Sequence, residues 1–209
     1  MKILIADDHT LVRDGLKRIL TAEFRGATFG DAGDTQQAIG AALGQTWDLV
    51  ILDVNMPGRN GMEVLKEIKA QKPRMPVLIL SMYPERQYGA RALRAGAAGY
   101  LTKASAPVEL VAAVKKALAG QRYVGAALAE QLASDLAAPD GRPLHERLSD
   151  RELEVFRLIA CGKSVKEIAS ELFLSDNTVS TYRTRSLGKM NMSSNVDLIR
   201  YAFEQKLVE

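Results

Sequence analysis

Through residue 120 the chain alternates between two kinds of segment, and this alternation leaves few folds open. Short runs rich in β-branched and aliphatic residues stand at KILIA, ATFGD, DLVILD, PVLILS and GYLTK. Between and after them come stretches of helical period: TLVRDGLKRILTAE, TQQAIGAAL, GMEVLKEIKAQ, ERQYGARALRAG and PVELVAAVKKALAG. Five strands alternating with five helices imply right-handed crossovers and a parallel sheet covered on both faces, which is an α/β architecture. DLVILD is apolar almost throughout, as a strand buried on both faces must be. In the first helix Leu11, Val12, Leu16, Ile19 and Leu20 are expected to form the stripe that lies on the sheet.

The strand ends carry acids. Asp7 and Asp8 follow KILIA, and Asp53 closes DLVILD, with Asn55 and the turn-formers Pro57 and Gly58 behind it. An Asp at a strand end can simply start a turn. In an open parallel sheet, however, ligands bind beyond the carboxyl ends of the strands, where the strand order reverses. In the common order 2-1-3-4-5 the first and third strands are neighbours, so the three acids converge. Two carboxylates about 4 Å apart repel by roughly 4 kcal/mol at an effective dielectric near 20, so the cluster calls for a cation. Hard oxygen ligands around a small pocket suit Mg2+. Ser81 ends PVLILS and Lys103 ends GYLTK, adding a hydroxyl donor and a fixed positive charge. A carboxylate nucleophile, a metal site, a hydroxyl and an ammonium are the equipment for moving a phosphoryl group onto Asp53, where catalysis is mainly positioning and charge neutralisation.

Residues 1–120 resemble the receiver domain of bacterial two-component response regulators. The resemblance is carried by the Asp7–Asp8 pair, Asp53 followed by MPG, Ser81, Tyr100 and Lys103, in that order and spacing. It implies a five-stranded parallel sheet of flavodoxin-like order with helices on both faces. It further implies that Asp53 is the phosphoacceptor, and that Asp8 and Asp53 bind Mg2+ through their side chains and Asn55 through its backbone carbonyl. Asp7 would act through water or from behind these ligands. Lys103 would pair with the phosphoryl group, and Ser81 and Tyr100 would form the switch. LTKAS departs from the family in lacking the proline that many receivers carry after this lysine.

After Gly120 the strands stop. RYVGAALAEQLASDL is Ala- and Leu-rich and reads as a helix, and AAPDGRP, with Pro139, Gly141 and Pro143, reads as a flexible link. From Ser149 onward the segments are short and helical. SDRE and SVKE fit the capping box and place helix starts at Ser149 and Ser164, LSDNT opens a third helix and MSSN a fourth. The expected organisation is therefore 1–120, a connecting segment with a helix over 121–147, and a small all-α domain over 148–209. On the helix Asp176–Met190, Val179, Tyr182, Ser186 and Met190 share the inward side. Asn177, Ser180, Thr181, Thr184 and Gly188 lie opposite. A helix whose outer face is small and polar, with basic residues at its edges, can enter a major groove. Ser180, Thr181 and Thr184 are then the candidates for base edges, and Arg183, Arg185 and Lys189 for phosphates. The last helix, SNVDLIRYAFEQKL, has two apolar faces: Val196, Ile199 and Phe203 on one, Leu198 and Tyr201 on the other. A dimer contact and ordinary core packing both fit that pattern.

LSDRELEV, IACGKSVKEIA and LSDNTVSTYRTR resemble the LuxR-type helix-turn-helix of the NarL/FixJ group of response regulators, over 148 to about 207. This implies a small all-α domain with Asp176–Met190 as its recognition helix. Two positions depart from the group: Ser186, where Ile or Leu is usual, and Gly188 inside the helix.

Composition agrees with this reading but does not specify it. The chain has 209 residues, 47% hydrophobic and 25% charged, as in a globular protein. No apolar run approaches the ~20 residues of a membrane helix. MKILIADDH reads as a strand and not a signal peptide. Cys161, the one cysteine, cannot form an internal disulfide, and in VFRLIAC it is expected to be buried. A reducing cytoplasm is the expected compartment. The net charge of +3 is small, but residues 177–196 contain three basic residues and no acid. Together these readings describe a cytoplasmic transcriptional regulator activated by Mg2+-dependent phosphoryl transfer from a sensor histidine kinase to Asp53. Promoter DNA with a two-fold site is the expected partner, a homodimer the expected phosphorylated form, and RNA polymerase a candidate further partner. Two alternatives stand beside this: an Asp-nucleophile phosphatase-like enzyme, and a signalling adaptor that binds only protein.

Overall fold

The computed structural model describes residues 1–137, 143–205 and 207–208. The chain divides into two compact units, Met1–Ala137 and Ala138–Glu209.

The first unit is built on five parallel strands, β1 (Lys2–Ala6), β2 (Thr28–Ala32), β3 (Leu49–Asp53), β4 (Val77–Ser81) and β5 (Gly99–Thr102), in the order β2-β1-β3-β4-β5. Central strands β3 and β4 are buried at every position, as their unbroken aliphatic runs require. The crossovers are α1 (Thr10–Glu23), α2 (Thr35–Gly44), α3 (Gly61–Gln71) and α4 (Glu85–Arg94), and α5 (Ala106–Leu118) follows β5. On one face of the sheet, Leu16 and Leu20 of α1 and Leu110 and Val114 of α5 pack on Ile3, Ile5, Ile51 and Leu80. Leu11 does not join its expected stripe: it is 85% exposed. At 100° per residue it lies diametrically opposite Leu20, so the sheet can hold one or the other.

A sixth helix, α6 (Ala126–Ala137), lies in the first unit. It starts later than the sequence pattern suggests. Residues 122–125 are not helical, because the main chain at Tyr123 forms a parallel bridge with Gly99 on the free edge of β5. The link expected at AAPDGRP falls mostly outside the described residues, which resume at Pro143.

In the second unit a 3-10 turn (Leu144–Arg147) precedes α7 (Asp150–Ala160), α8 (Val165–Glu171), α9 (Asp176–Met190) and α10 (Asn195–Glu204). Ser149 and Ser164 both complete capping boxes, with Glu152 and Glu167. Ser175 and Ser194 cap α9 and α10. Phe156, Ile168, Val179, Met190 and Leu198 are buried. Cys161 is exposed, contrary to expectation. α7 ends at Ala160, and the chain turns away there, carrying Cys161 off the apolar stripe.

Candidate functional site

The strand order places β1 beside β3, so the acids at their ends meet. Carboxylate oxygens of Asp7, Asp8 and Asp53 and a ring nitrogen of His9 all lie within 4.8 Å of one another. Asp7 and Asp53 are fully buried. Lys103, reaching in from the end of β5, places its Nζ 2.7 Å from Asp7 Oδ2 and 2.8 Å from Asp53 Oδ2. One ammonium thus stands between two buried carboxylates, the arrangement their mutual repulsion demands. Burial pushes the Asp53 carboxyl up to about 6, against the pull of the Lys103 ammonium. Burial alone would lower Lys103, but the adjacent Asp53 and Asp7 outweigh it and hold its pKa above the ordinary lysine value. The donor set is anionic and oxygen-rich, which suits a small hard dication.

Two residues that the sequence reading passed over belong to this pocket. His9 Nδ1 lies 2.7 Å from Asp8 Oδ1. Its only sequence signal is its place directly after the acid pair. Tyr83, two residues beyond Ser81, ties together three of the expected residues. Its N–H donates to Ser81 Oγ (3.1 Å) and its carbonyl accepts from the Tyr100 hydroxyl (2.8 Å). Its own hydroxyl accepts from Asn55 Nδ2 (3.3 Å). The Tyr83 ring also stacks on Tyr88 of α4, centroids 5.4 Å apart. Ser81 and Tyr100 are both fully buried. The β4–α4 loop therefore joins the end of β3, the end of β4, β5 and α4.

In the second unit the outer face of α9 is as the helical period suggests. Asn177, Ser180, Thr181, Thr184, Arg185 and Gly188 are exposed. Asn177, Ser180, Thr181, Thr184 and Arg185 line one shallow concavity. Thr181 and Thr184 donate their hydroxyl protons to the carbonyls of Asn177 (2.8 Å) and Ser180 (3.0 Å). Their oxygens keep lone pairs for accepting, and Thr also offers a methyl group. The three basic residues differ. Arg183 Nε donates to Asn195 Oδ1 at 2.6 Å, and Lys189 pairs with Glu152 at 2.6 Å. Arg185 has no such ion pair among the described residues. Ser186, on the inward side, is fully buried, and its hydroxyl lies 2.9 Å from the carbonyl of Tyr182 and 3.3 Å from that of Glu152.

A doubly wound sheet with an acid pocket and a half-buried lysine at its switch point, joined to a helix-turn-helix unit, defines a phosphorylation-responsive DNA-binding regulator. Comparison with known proteins agrees along the whole chain. Residues 3–115 match the response regulator receiver domain, and residues 146–202 match the luxR family of bacterial regulatory proteins. The chain is 34% identical to response regulator UvrY of Escherichia coli (strain K12), over 99% of this chain and 95% of that protein. It is 35% identical to response regulator GacA of Pseudomonas aeruginosa, over 100% and 98%. Among solved structures, it resembles RcsB from Salmonella enterica serovar Typhimurium bound to promoter rprA in the presence of phosphomimetic BeF3-. That likeness has a TM-score of 0.65 at 27% identity and covers 100% of both chains. The chain belongs to the two-component response regulators of the NarL/FixJ group, and is a DNA-binding regulator of transcription. No helix among the described residues is long and apolar enough to cross a membrane.

Proposed function

We propose that Asp53 accepts a phosphoryl group from a phosphohistidine of a sensor histidine kinase, and that the acyl phosphate promotes dimerisation and promoter binding. The observation that carries this is the Lys103 ammonium held between Asp7 and Asp53, at 2.7 and 2.8 Å, in the pocket of acids. An Asp53 oxygen attacks phosphorus as the P–N bond breaks, and the imidazole leaves with the electron pair and takes up a proton. Lys103 then pairs with the phosphoryl oxygens in place of the carboxylate. Asp8 and Asp53 through their side chains, and Asn55 through its main-chain carbonyl, are the residues suited to hold Mg2+, with Asp7 acting through water. The ion supplies charge neutralisation to the incoming anion. Ser81 and Tyr100 act as the switch, and Tyr83 connects them. A phosphatase-like enzyme would place a second acid two residues after the nucleophile. Asn55 stands there instead, its amide donating to Tyr83.

Leu11, Met82 and Val108, 85%, 71% and 86% exposed, each follow closely on the carboxyl end of a strand. We assign to them the contact with the kinase, since a phosphohistidine must approach from this end of the sheet. In the second unit, Ser180, Thr181 and Thr184 read base edges, while Arg185, Arg183 and Lys189 neutralise phosphates. Val196 and Phe203 of α10 are 69% and 52% exposed, while Leu198 and Ala202 on its other side are buried. This leaves the first apolar face of α10 for a second copy of the chain on a two-fold DNA site. Functionally the receiver spans 1–120, the connecting segment 121–147 and the DNA-binding domain 148–209, and the protein works in the cytoplasm.

The direct test is labelling by acetyl phosphate. Wild-type chain should gain one phosphoryl group only with Mg2+ present, and Asp53→Asn should gain none. Undiminished labelling of Asp53→Asn would remove the assignment.

A further inference from the structure

α6 is fastened to the two elements that carry the switch. Its Leu128 is fully buried against Ala90 and Leu93 of α4, with Val124 and Leu132 packed on the same cluster. The approach is close enough to require a glycine in the middle of α4. A Cβ at Gly89 would stand 2.7 Å from Leu128 Cδ2. Glycine inside a helix is unfavourable against alanine, and here the cost is offset by the seat it makes for Leu128. The second fastening is polar. Glu85, first residue of α4, brings its carboxylate against Gly125 at the opening of α6. Its carboxylate crowds Gly125 so tightly that a Cβ there would stand 2.4 Å from Glu85 Oε1. A carboxylate placed at the start of a helix is favoured by the helix dipole and faces the end where N–H donors are left open. The third fastening is on β5. Tyr123 N donates to Ala98 O at 2.7 Å and the two chains bridge at Gly99, the residue before Tyr100.

Two of these contacts belong to α4 and one to the edge of β5. The Tyr83 loop lies between them, bonded to Tyr100 of β5 and stacked on Tyr88 of α4. A shift of α4 against β5 strains these fastenings together, because Leu128 sits directly on the bare backbone of Gly89 while the edge of β5 holds Tyr123. We propose that α6 is a strap: seated on α4 in the unphosphorylated chain, it is released when phosphorylation moves Tyr83 and α4. Release bares the apolar side of α4 at Ala90 and Leu93. It also frees the chain at Ala137, where the first unit ends. This rests on Asp53 being the phosphoacceptor.

The experiment is hydrogen exchange by mass spectrometry on the full chain with Mg2+, with and without acetyl phosphate, with intact mass read on the same samples. In phosphorylated protein the amides of residues 126–133 should exchange at least tenfold faster, while those of α1 keep their rate. A phosphoryl mass gain with unchanged exchange over 126–133 overturns the strap and leaves the phosphoacceptor standing. No mass gain overturns both. A second arm uses Gly89→Ala without donor: the added methyl should unseat Leu128 and give the same tenfold rise over 126–133. A variant that exchanges like wild type there contradicts the close seat on which the strap depends.

Discussion

Lys103 Nζ lies 2.8 Å from Asp53 Oδ2, and the same ammonium lies 2.7 Å from Asp7 Oδ2. It is the one side-chain cation seen between these two buried carboxylates among the described residues. Lys103→Ala should therefore cost stability, since removing one partner of a buried ion pair leaves uncompensated charge worth about 3 kcal/mol or more. Millimolar Mg2+ should return part of the loss. Urea titrations with and without the ion check both statements; a variant as stable as wild type without Mg2+ contradicts them.

Burial raises Asp53 to about 6, which has a consequence for stability against pH. The folded chain holds that proton up to about pH 6, whereas the unfolded chain releases it near the ordinary Asp value of about 4. The stabilisation from this group is present at low pH and is lost as pH rises from about 4 to about 6. Asp53→Asn has no proton to lose. In metal-free buffer it should gain on wild type as pH rises through that window, by up to about 3 kcal/mol. Urea unfolding of the two proteins at about pH 4.5, near the lower end of the window, and about pH 7.5, above its upper end, measures most of the change. A difference that stays constant contradicts the burial argument. With Mg2+ bound the range moves down, since the dication favours the ionised carboxylate; labelling of wild type should fall at lower pH still, because only the ionised carboxylate is a nucleophile.

The exposed rim separates two kinds of donor. Leu11→Asp should slow phosphoryl transfer from a cognate kinase by tenfold or more while leaving labelling by acetyl phosphate unchanged. Equal loss with both donors would place Leu11 in the pocket's chemistry and not in partner contact.

The recognition helix gives a test of division of labour. Arg185→Ala should weaken binding to specific and scrambled duplexes alike and flatten the salt slope by about one unit. Lys189→Ala should do less to the slope and more to folding, since Glu152 already pairs with Lys189, and with Ser149 holds the Glu152 pKa low against the effect of burial. Thr184→Ala should instead change the preferred sequence, with an effect of about 1–3 kcal/mol at one base pair. Binding titrations at several salt concentrations separate the three; identical, sequence-independent losses would contradict the scheme.

Much of the architecture was legible because it follows from periodicity. The aliphatic runs of β3 and β4 and the Ser–Glu capping boxes at Ser149 and Ser164 are local patterns, and the structure repeats them. What was not legible depends on partners distant in the chain. Leu11 belongs to an apolar helix pattern by spacing, yet the sheet takes Leu20 on the opposite side. Tyr123 sits in an Ala-rich helical context, yet the free edge of β5 captures its backbone. Tyr83 carries no mark in the sequence, since its role comes from its main-chain N–H and carbonyl, which no residue type announces. Ser186 looked like a defect at an inward position. The carbonyls of Tyr182 and Glu152 accept its proton, so burial leaves no hydroxyl unsatisfied.

The central claim is that phosphoryl transfer to Asp53 sets DNA affinity, and one titration tests it most directly. Full-length wild type and Asp53→Asn are titrated onto promoter DNA at fixed salt, each with Mg2+ and with or without acetyl phosphate. Phosphoryl occupancy is measured in the same samples. The account predicts that donor tightens binding of wild type by at least tenfold, in proportion to occupancy, and leaves Asp53→Asn unchanged. Equal tightening of Asp53→Asn, or fully phosphorylated wild type that binds no more tightly than before, would contradict it.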